Sequence, residues 1–99
     1  MIIRIVKMSF EPEKVDAFLE VFHSAASQIR QFEGCSHLEL YRDTEQPNIL
    51  FTYSYWENND CLQLYRNSDL FESTWAKTKV LFNDKPQAWS LNRLYKSKA

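Results

Sequence analysis

The sequence predicts an α+β domain of ferredoxin-like topology, β-α-β-β-α-β, in which a four-stranded antiparallel sheet carries its helices on one face. Three observations carry this. The chain has 99 residues and is 44% hydrophobic, enough for one domain with its own core and too short for two. Runs rich in β-branched and aromatic residues at 2–10, 35–43, 49–56 and 86–95 read as strands. Between them lie two stretches of helical periodicity, one long and one interrupted. No repeat, linker or low-complexity segment divides residues 1–99.

Strand 1 sets Ile2, Arg4, Val6, Met8 and Phe10 on one face and Ile3, Ile5, Lys7 and Ser9 on the other. Pro12 sits where a helix tolerates proline best, in the first turn, and Glu11 and Glu13 suit the positive end of the helix dipole. Val15, Phe18, Leu19, Phe22, Ala25, Ala26, Ile29 and Phe32 recur at three- and four-residue intervals, an amphipathic helix of about five turns. Gly34 ends it as a left-handed cap residue would. Strand 2, from Cys35 to Asp43, alternates Leu38 and Leu40 with His37, Glu39 and Tyr41. Residues 43–48 are turn chemistry, and strand 3 follows from Ile49 to Trp56. Asn58, Asn59 and Asp60 offer N-caps for a short helix through Leu62 and Tyr65. Asn67-Ser68-Asp69 interrupts it. Asp69 with Glu72 resembles a capping box for a further helix bearing Phe71, Trp75, Thr78 and Phe82 on one stripe. Pro86 starts the last strand, which runs to Tyr95, and residues 96–99 read as a frayed tail.

Composition excludes several classes of function. A formal charge of −1 argues against a nucleic-acid binder, because phosphate contacts need a basic field. The RNA-recognition motif shares this topology, but its basic and glycine signature in strand 3 is missing here. The single glycine, Gly34, rules out Gly-rich phosphate loops. No apolar run approaches the ~18 residues of a membrane helix, and the charged start at Arg4 and Lys7 is unlike a signal peptide. Cys35 and Cys61 are too few and too far apart for a disulfide framework or zinc pattern, and read as reduced, packed thiols. The expectation is a cytoplasmic protein.

A lone domain of this kind leaves one sheet face to water, and that face should be polar. Here strand 3 puts Ile49, Phe51, Tyr53 and Tyr55 on one face and Leu50, Thr52, Ser54 and Trp56 on the other. Strand 4 sets Trp89, Leu91, Arg93 and Tyr95 against Ala88, Ser90, Asn92 and Leu94. A contiguous aromatic face marks a partner surface, so the chain is expected to form a homodimer with its sheets packed together. On the helix-covered face, small Thr52 and Ser54 lie beside Trp56. Either that room is a ligand pocket under the broken second helix, or Phe22, Trp75 and Phe82 fill it as ordinary core.

Gly34-Cys35 after a long helix, Leu38-Glu39-Leu40, Arg42-Asp43, Pro47, Phe51, Tyr55-Trp56-Glu57 before an Asn/Asp-capped helix, and Ser68-Asp69-Leu70-Phe71 together resemble the antibiotic biosynthesis monooxygenase (ABM) domain family. The resemblance spans nearly the whole chain and lies in the order and spacing of short motifs. It implies a dimeric α+β barrel, two ferredoxin-like sheets face to face. It also implies a monooxygenase that oxidises an aromatic or quinol-like molecule with molecular oxygen and no metal or flavin. Trp56 resembles the family's tryptophan at the end of strand 3, close to substrate in characterised members. Three positions depart from the pattern: Thr52 stands where catalytic relatives often carry Asn, and Arg66 and Leu70 stand where many members carry His. Haem ligation at Arg66 is excluded, since a guanidinium offers iron no lone pair.

A phenolate or enolate can itself reduce oxygen by one electron, so an aromatic pocket with a few polar hooks suffices for such chemistry. The candidate catalytic residues are Trp56 and His37, the latter as the best general base near neutral pH. The candidate substrate-binding residues are Thr52, Tyr65, Arg66 and Trp75. Arg66 either holds an anionic oxygen or is a solvated surface charge. His37, Glu39 and Tyr41 share a strand face, too few ligating groups for a metal site, and His23 lies on the long helix away from its apolar stripe. No cofactor is expected. The alternative to an enzyme is a non-catalytic dimeric module of the same fold that binds a small hydrophobic ligand or forms a subunit contact.

Overall fold

Strands β1 (Ile2–Ser9), β2 (Cys35–Arg42), β3 (Ile49–Trp56) and β4 (Gln87–Leu91) form one antiparallel sheet in the order β2-β3-β1-β4 in the computed structural model, which describes residues 1–98. Helix α1 (Val15–Arg30) links β1 to β2, and α2 (Asn59–Arg66) with α3 (Asp69–Lys79) links β3 to β4. This is the ferredoxin-like arrangement. The β1-to-β2 connection crosses over β3 and the β3-to-β4 connection crosses over β1, so the central pair is β3 and β1.

The register decides which side chains meet beneath the helices. Ile2, Arg4, Val6 and Met8 of β1 stand opposite Trp56, Ser54, Thr52 and Leu50 of β3. Leu38 and Leu40 extend the Ser54 and Thr52 rows on one side, and Ser90 and Ala88 extend them on the other. The helix-covered face therefore has two rows of mostly small or short side chains between two large-residue ends. At one end Met8, Phe10, Val15, Phe18 and Leu50 form a buried cluster. At the other, Cys35, Trp56 and Leu62 form a second, with Phe32 and Tyr65 against it. Trp56, Phe10, Leu50 and Leu62 are the largest fully buried side chains.

Local chemistry accounts for the element ends. Pro12–Lys14 makes one 3-10 turn before α1, so the helix proper starts at Val15. Asn58 caps α2 by accepting from the Cys61 amide (2.9 Å). The cap of α3 is Ser68, whose hydroxyl accepts from the Phe71 amide (3.1 Å) and donates to the Tyr65 carbonyl (2.6 Å). That one residue closes α2 and opens α3, a role the sequence reading assigned to Asp69. In the β2–β3 connection, Asp43 Oδ2 accepts from the amides of Glu45 and Gln46, and those bonds hold its carboxyl below the usual range.

Two expectations are corrected. The last strand stops at Leu91 instead of reaching Tyr95, because β4 pairs only with β1, and Leu91 already stands opposite Ile3 near the start of β1. Leu94 and Tyr95 are largely exposed (96% and 83%), with no strand left to hold them. Of the expected frayed tail, residues 96–98 are exposed and without regular structure, and Ala99 lies outside the described residues. Gly34 does have a left-handed backbone (φ +86°), but α1 ends earlier, at Arg30, and Gly34 instead makes the turn into β2. Its carbonyl accepts from the Glu57 amide (2.8 Å), tying the start of β2 to the end of β3.

Gly34 is also required sterically, since a Cβ there would sit 2.5 Å from Cys61 Cβ on α2. Gly34→Ala is expected to destabilise the fold by about 2–4 kcal/mol, combining left-handed strain with overpacking, as read from chemical denaturation midpoints. A loss under about 0.5 kcal/mol, the scale of an ordinary surface substitution, would contradict this.

Candidate functional site

Between the two core clusters lies a cavity of about 340 Å³, floored by the sheet and roofed by the helices. Its floor is made where β3 places Thr52 and Ser54 and where β1 places Arg4 and Val6. Met8, Phe18, Ile29, Ser54, Trp56, Leu62 and Thr78 line it and are buried, which marks its inner end. Arg66, Gln87 and Ala88 line it and are exposed, which marks its mouth, beside β4. The void follows from residue size: Leu50 and Trp56 fill the ends of β3, and nothing large fills its middle.

An unbroken series of rings runs past the cavity, and six of them, Trp56, Tyr65, Phe71, Trp75, Phe18 and Phe22, line it. Phe32 meets Trp56 edge-on, Trp56 stacks on Tyr65 (centroids 4.8 Å apart, 22° between planes), and Phe71 meets Tyr65 edge-on. Phe71 stacks on Trp75 (5.7 Å, 13°), Trp75 meets Phe82 edge-on, and Phe82 leads through Phe10 and Phe18 to Phe22. Such contacts each add about 0.5–1.5 kcal/mol beyond buried area. They give the cavity walls flat, rigid surfaces suited to an aromatic guest.

Polar groups are few. The Trp56 indole N–H donates to Ser54 Oγ (3.0 Å), which fixes the ring as a wall; only 1% of Trp56 is exposed. The Thr78 hydroxyl donates to the Thr74 carbonyl (2.8 Å) within α3. The Thr52 hydroxyl, half-buried in the floor, makes no hydrogen bond to another described residue. Burial pushes the Tyr65 phenol up to about 12, with a smaller push from Cys35, so Tyr65 stays a neutral donor at physiological pH. Among the described residues no group of three or more His, Cys, Asp or Glu could hold a metal ion, and no helix is long and apolar enough to cross a membrane.

The sequence-selected residues divide cleanly. Trp56, Thr52, Tyr65, Arg66 and Trp75 all line this one cavity, although they come from β3, α2 and α3. His37 does not reach it. A bulge between Cys35 and His37 turns Cys35 inward against Trp56 and puts His37 opposite Tyr55, on the far side of the sheet. There His37 stacks on Tyr55 (4.6 Å, 29°) and its Nε2 hydrogen-bonds Glu39 Oε1 (2.8 Å). His37, expected as the general base, therefore lies outside this cavity, with the sheet between it and Trp56. His23 is exposed on α1 and packs edge-on to Phe22. Phe22 and Trp75, candidates for filling the space, form its walls instead, while Phe82 packs behind Trp75.

Arg4 was missed. It comes from the middle of β1 into the cavity floor, and one guanidinium nitrogen donates to Ser90 Oγ (3.0 Å). The available signal was a lone charge in the row Ile2, Arg4, Val6, Met8, the row the helices cover.

The family model for antibiotic biosynthesis monooxygenases matches residues 1–77, from β1 into α3. The chain belongs to the antibiotic biosynthesis monooxygenase family. Its fold is shared with solved structures at low identity. One named as an antibiotic biosynthesis monooxygenase has a TM-score of 0.90 at 16% identity, covering 96% of this chain and all of that one. A conserved protein from Methanosarcina mazei has a TM-score of 0.88 at 24% identity, covering 94% and 93%. A Mycobacterium tuberculosis protein has a TM-score of 0.88 at 16% identity, covering 98% of each chain. No curated protein matches. At these identities the structural likeness speaks for the fold of the ABM chain.

The Tyr65 shift gives a signed pH dependence. The phenol's folded value, about 12, lies above the ordinary 10.0, so the unfolded chain releases its proton first as pH rises. Stability from this group is complete below about pH 10 and is lost between about pH 10 and 12, on the order of 2 kcal/mol. Tyr65→Phe keeps the ring and should flatten that alkaline loss in urea melts taken across the range. Equal slopes for variant and parent would contradict the burial of the phenol.

Proposed function

We propose that this ABM-family chain is a monooxygenase that oxidises an aromatic, quinol-like small molecule in the cavity under α2 and α3, using molecular oxygen and no metal or organic cofactor. The observation that carries this reading is the cavity itself: aromatic walls, Thr52 and Tyr65 as hydroxyl hooks, and only 1% exposure of Trp56 at its inner end. A site of this kind binds a flat guest and keeps water from its reacting carbon.

The chemistry needs little more. A phenol whose keto form has a CH₂ group ionises to an enolate, which passes one electron to oxygen. The substrate radical and superoxide combine to a hydroperoxide at that carbon, and loss of water leaves a carbonyl. One oxygen atom enters the substrate, and the other departs as water with the two hydrogens of the former CH₂. The protein's work is to hold the ring between Trp75, Phe71 and Trp56, to favour the ionised substrate and to exclude bulk water.

We further infer a homodimer through the open sheet face. Ile5, Phe51, Tyr53 and Tyr55 stand there with Trp89 and Leu91, the last two 42% and 43% exposed, beside Tyr41 at 50%. The face is ordered for contact: the Tyr53 and Tyr55 hydroxyls are hydrogen-bonded (3.1 Å), and Arg93 donates to Tyr55 (3.0 Å) from over its ring. A second copy is the natural cover for such a patch. We place the protein in the cytoplasm, in keeping with its two free thiols.

Oxygen uptake with anthrones and hydroquinones is expected to proceed at one O₂ per quinone formed, and Thr52→Phe, which fills the cavity floor, should cut the rate at least about 10-fold, about 1.4 kcal/mol of barrier, while the melting temperature holds. Uptake no faster than without protein would contradict the enzyme reading. If the same compounds then still raised the melting temperature, the binding-module alternative would replace it. Light scattering should give twice the 11.8 kDa of one chain. A mass of a single chain would remove the dimer.

A further inference from the structure

Of the described side chains that line the cavity, only two are charged, and both are arginines: Arg4 and Arg66. No Asp or Glu lines it, although the chain has 13 acidic residues against 12 basic ones. Neither guanidinium lies within ion-pair distance of a carboxylate among the described residues. Arg4 has a single anchor, Ser90 Oγ. Arg66, the last residue of α2, is exposed at the mouth.

The two charges feel each other. Burial lowers the Arg4 pKa, and repulsion from Arg66 lowers it further. Like charges brought together beside an apolar wall are unfavourable until something negative joins them. An oxygen anion meets both requirements, because guanidinium donors grip a carboxylate as a fork and lose little entropy in doing so. The positions fit a ligand of two parts. Arg66 and the Arg4–Ser90 pair lie toward β4 and the mouth, while Trp56, Leu62 and Phe18 lie within.

We propose that the cavity's ligand is an aromatic acid, whose ring system enters between the helices and the sheet and whose carboxylate is held at the mouth by Arg4 and Arg66. This rests on the cavity being the binding site and deepens the reading above: the quinol-like substrate is a hydroxy-aromatic carboxylate. It does not rest on the oxygen chemistry, so the two stand or fall by different measurements.

The test is calorimetric titration of the whole protein with 2-naphthoate and with 2-naphthamide, a neutral molecule of nearly the same shape. The acid should bind at least about 10-fold more tightly, and added salt should narrow the gap. Arg66→Gln and Arg4→Gln should each shrink the preference to within about 3-fold, and Arg66→Lys should restore part of it. Arg66 is exposed, so its variant folds even if Arg4→Gln disturbs the central strand. Equal binding of acid and amide, an undiminished preference in Arg66→Gln, or binding of neither probe would overturn the proposal. A protein that prefers naphthoate in this way yet consumes no oxygen with any substrate keeps the carboxylate site and loses the monooxygenase reading.

Discussion

The alternation of size along the inner face of β3 is the constraint on which the site depends. Leu50 and Trp56 are large and fully buried; Thr52 and Ser54 between them are small. The helices rest on the two large ends, where Phe10 stacks on Phe18 (4.4 Å, 26°) and Trp56 on Tyr65, and they bridge the small middle. A sealed, dry void of about 340 Å³ would cost on the order of 8 kcal/mol by the scale of engineered core cavities. That approaches the whole stability of a small domain. The gap therefore makes physical sense as a chamber that opens beside β4 and takes solvent or a ligand, with the ring series holding its walls apart.

The period of two along each strand divides the chemistry of the molecule between two faces. Even-numbered positions of β1 and β3 build the chamber, and odd-numbered ones build an aromatic surface of Phe51, Tyr53 and Tyr55. On that surface the Tyr53 phenol is raised, first by its hydrogen bond to Tyr55 and then by burial. The result is a neutral, hydrogen-bonded patch, suited to contact more than to proton transfer. The same logic removes His37 from the chamber. Its imidazole is tied to Glu39 and stacked on Tyr55, and the sheet stands between it and Trp56.

Much of this was legible in the sequence, for identifiable reasons. The apolar stripe of α1, the Asn58 cap and the strand alternation are local signals, and the residues that carry them do what their spacing says. Five of the six selected site residues share one cavity because the strand and helix periods both aim them inward. What escaped has a non-local cause. The bulge after Cys35 turns Cys35 to the inner face, against the alternation that puts His37 on the outer one, and no residue type in Cys35-Ser36-His37 announces it. The end of β4 is set by where its only partner, β1, begins. Arg4 was read only as one member of the Ile2, Val6, Met8 and Phe10 face, because the sequence does not say which face of strand 1 the helices cover. Its neighbours Ile2, Val6 and Met8 sit on the same covered face, and a charge retained there is a stronger pointer to a ligand than any exposed residue.

The claim at the centre is that aromatic ligands enter between the helices and the sheet and leave the aromatic outer face alone. The three tryptophans report on it directly, because Trp56 and Trp75 line the chamber and Trp89 lies on the outer face. Their indole N–H signals can be followed in a nitrogen–proton correlation spectrum, assigned by single Trp→Phe variants, while 2-naphthol is added. The Trp56 and Trp75 signals should move together and saturably while Trp89 stays in place. Movement of Trp89 with the other two unchanged would put the ligand on the wrong side of the sheet and contradict the site described here.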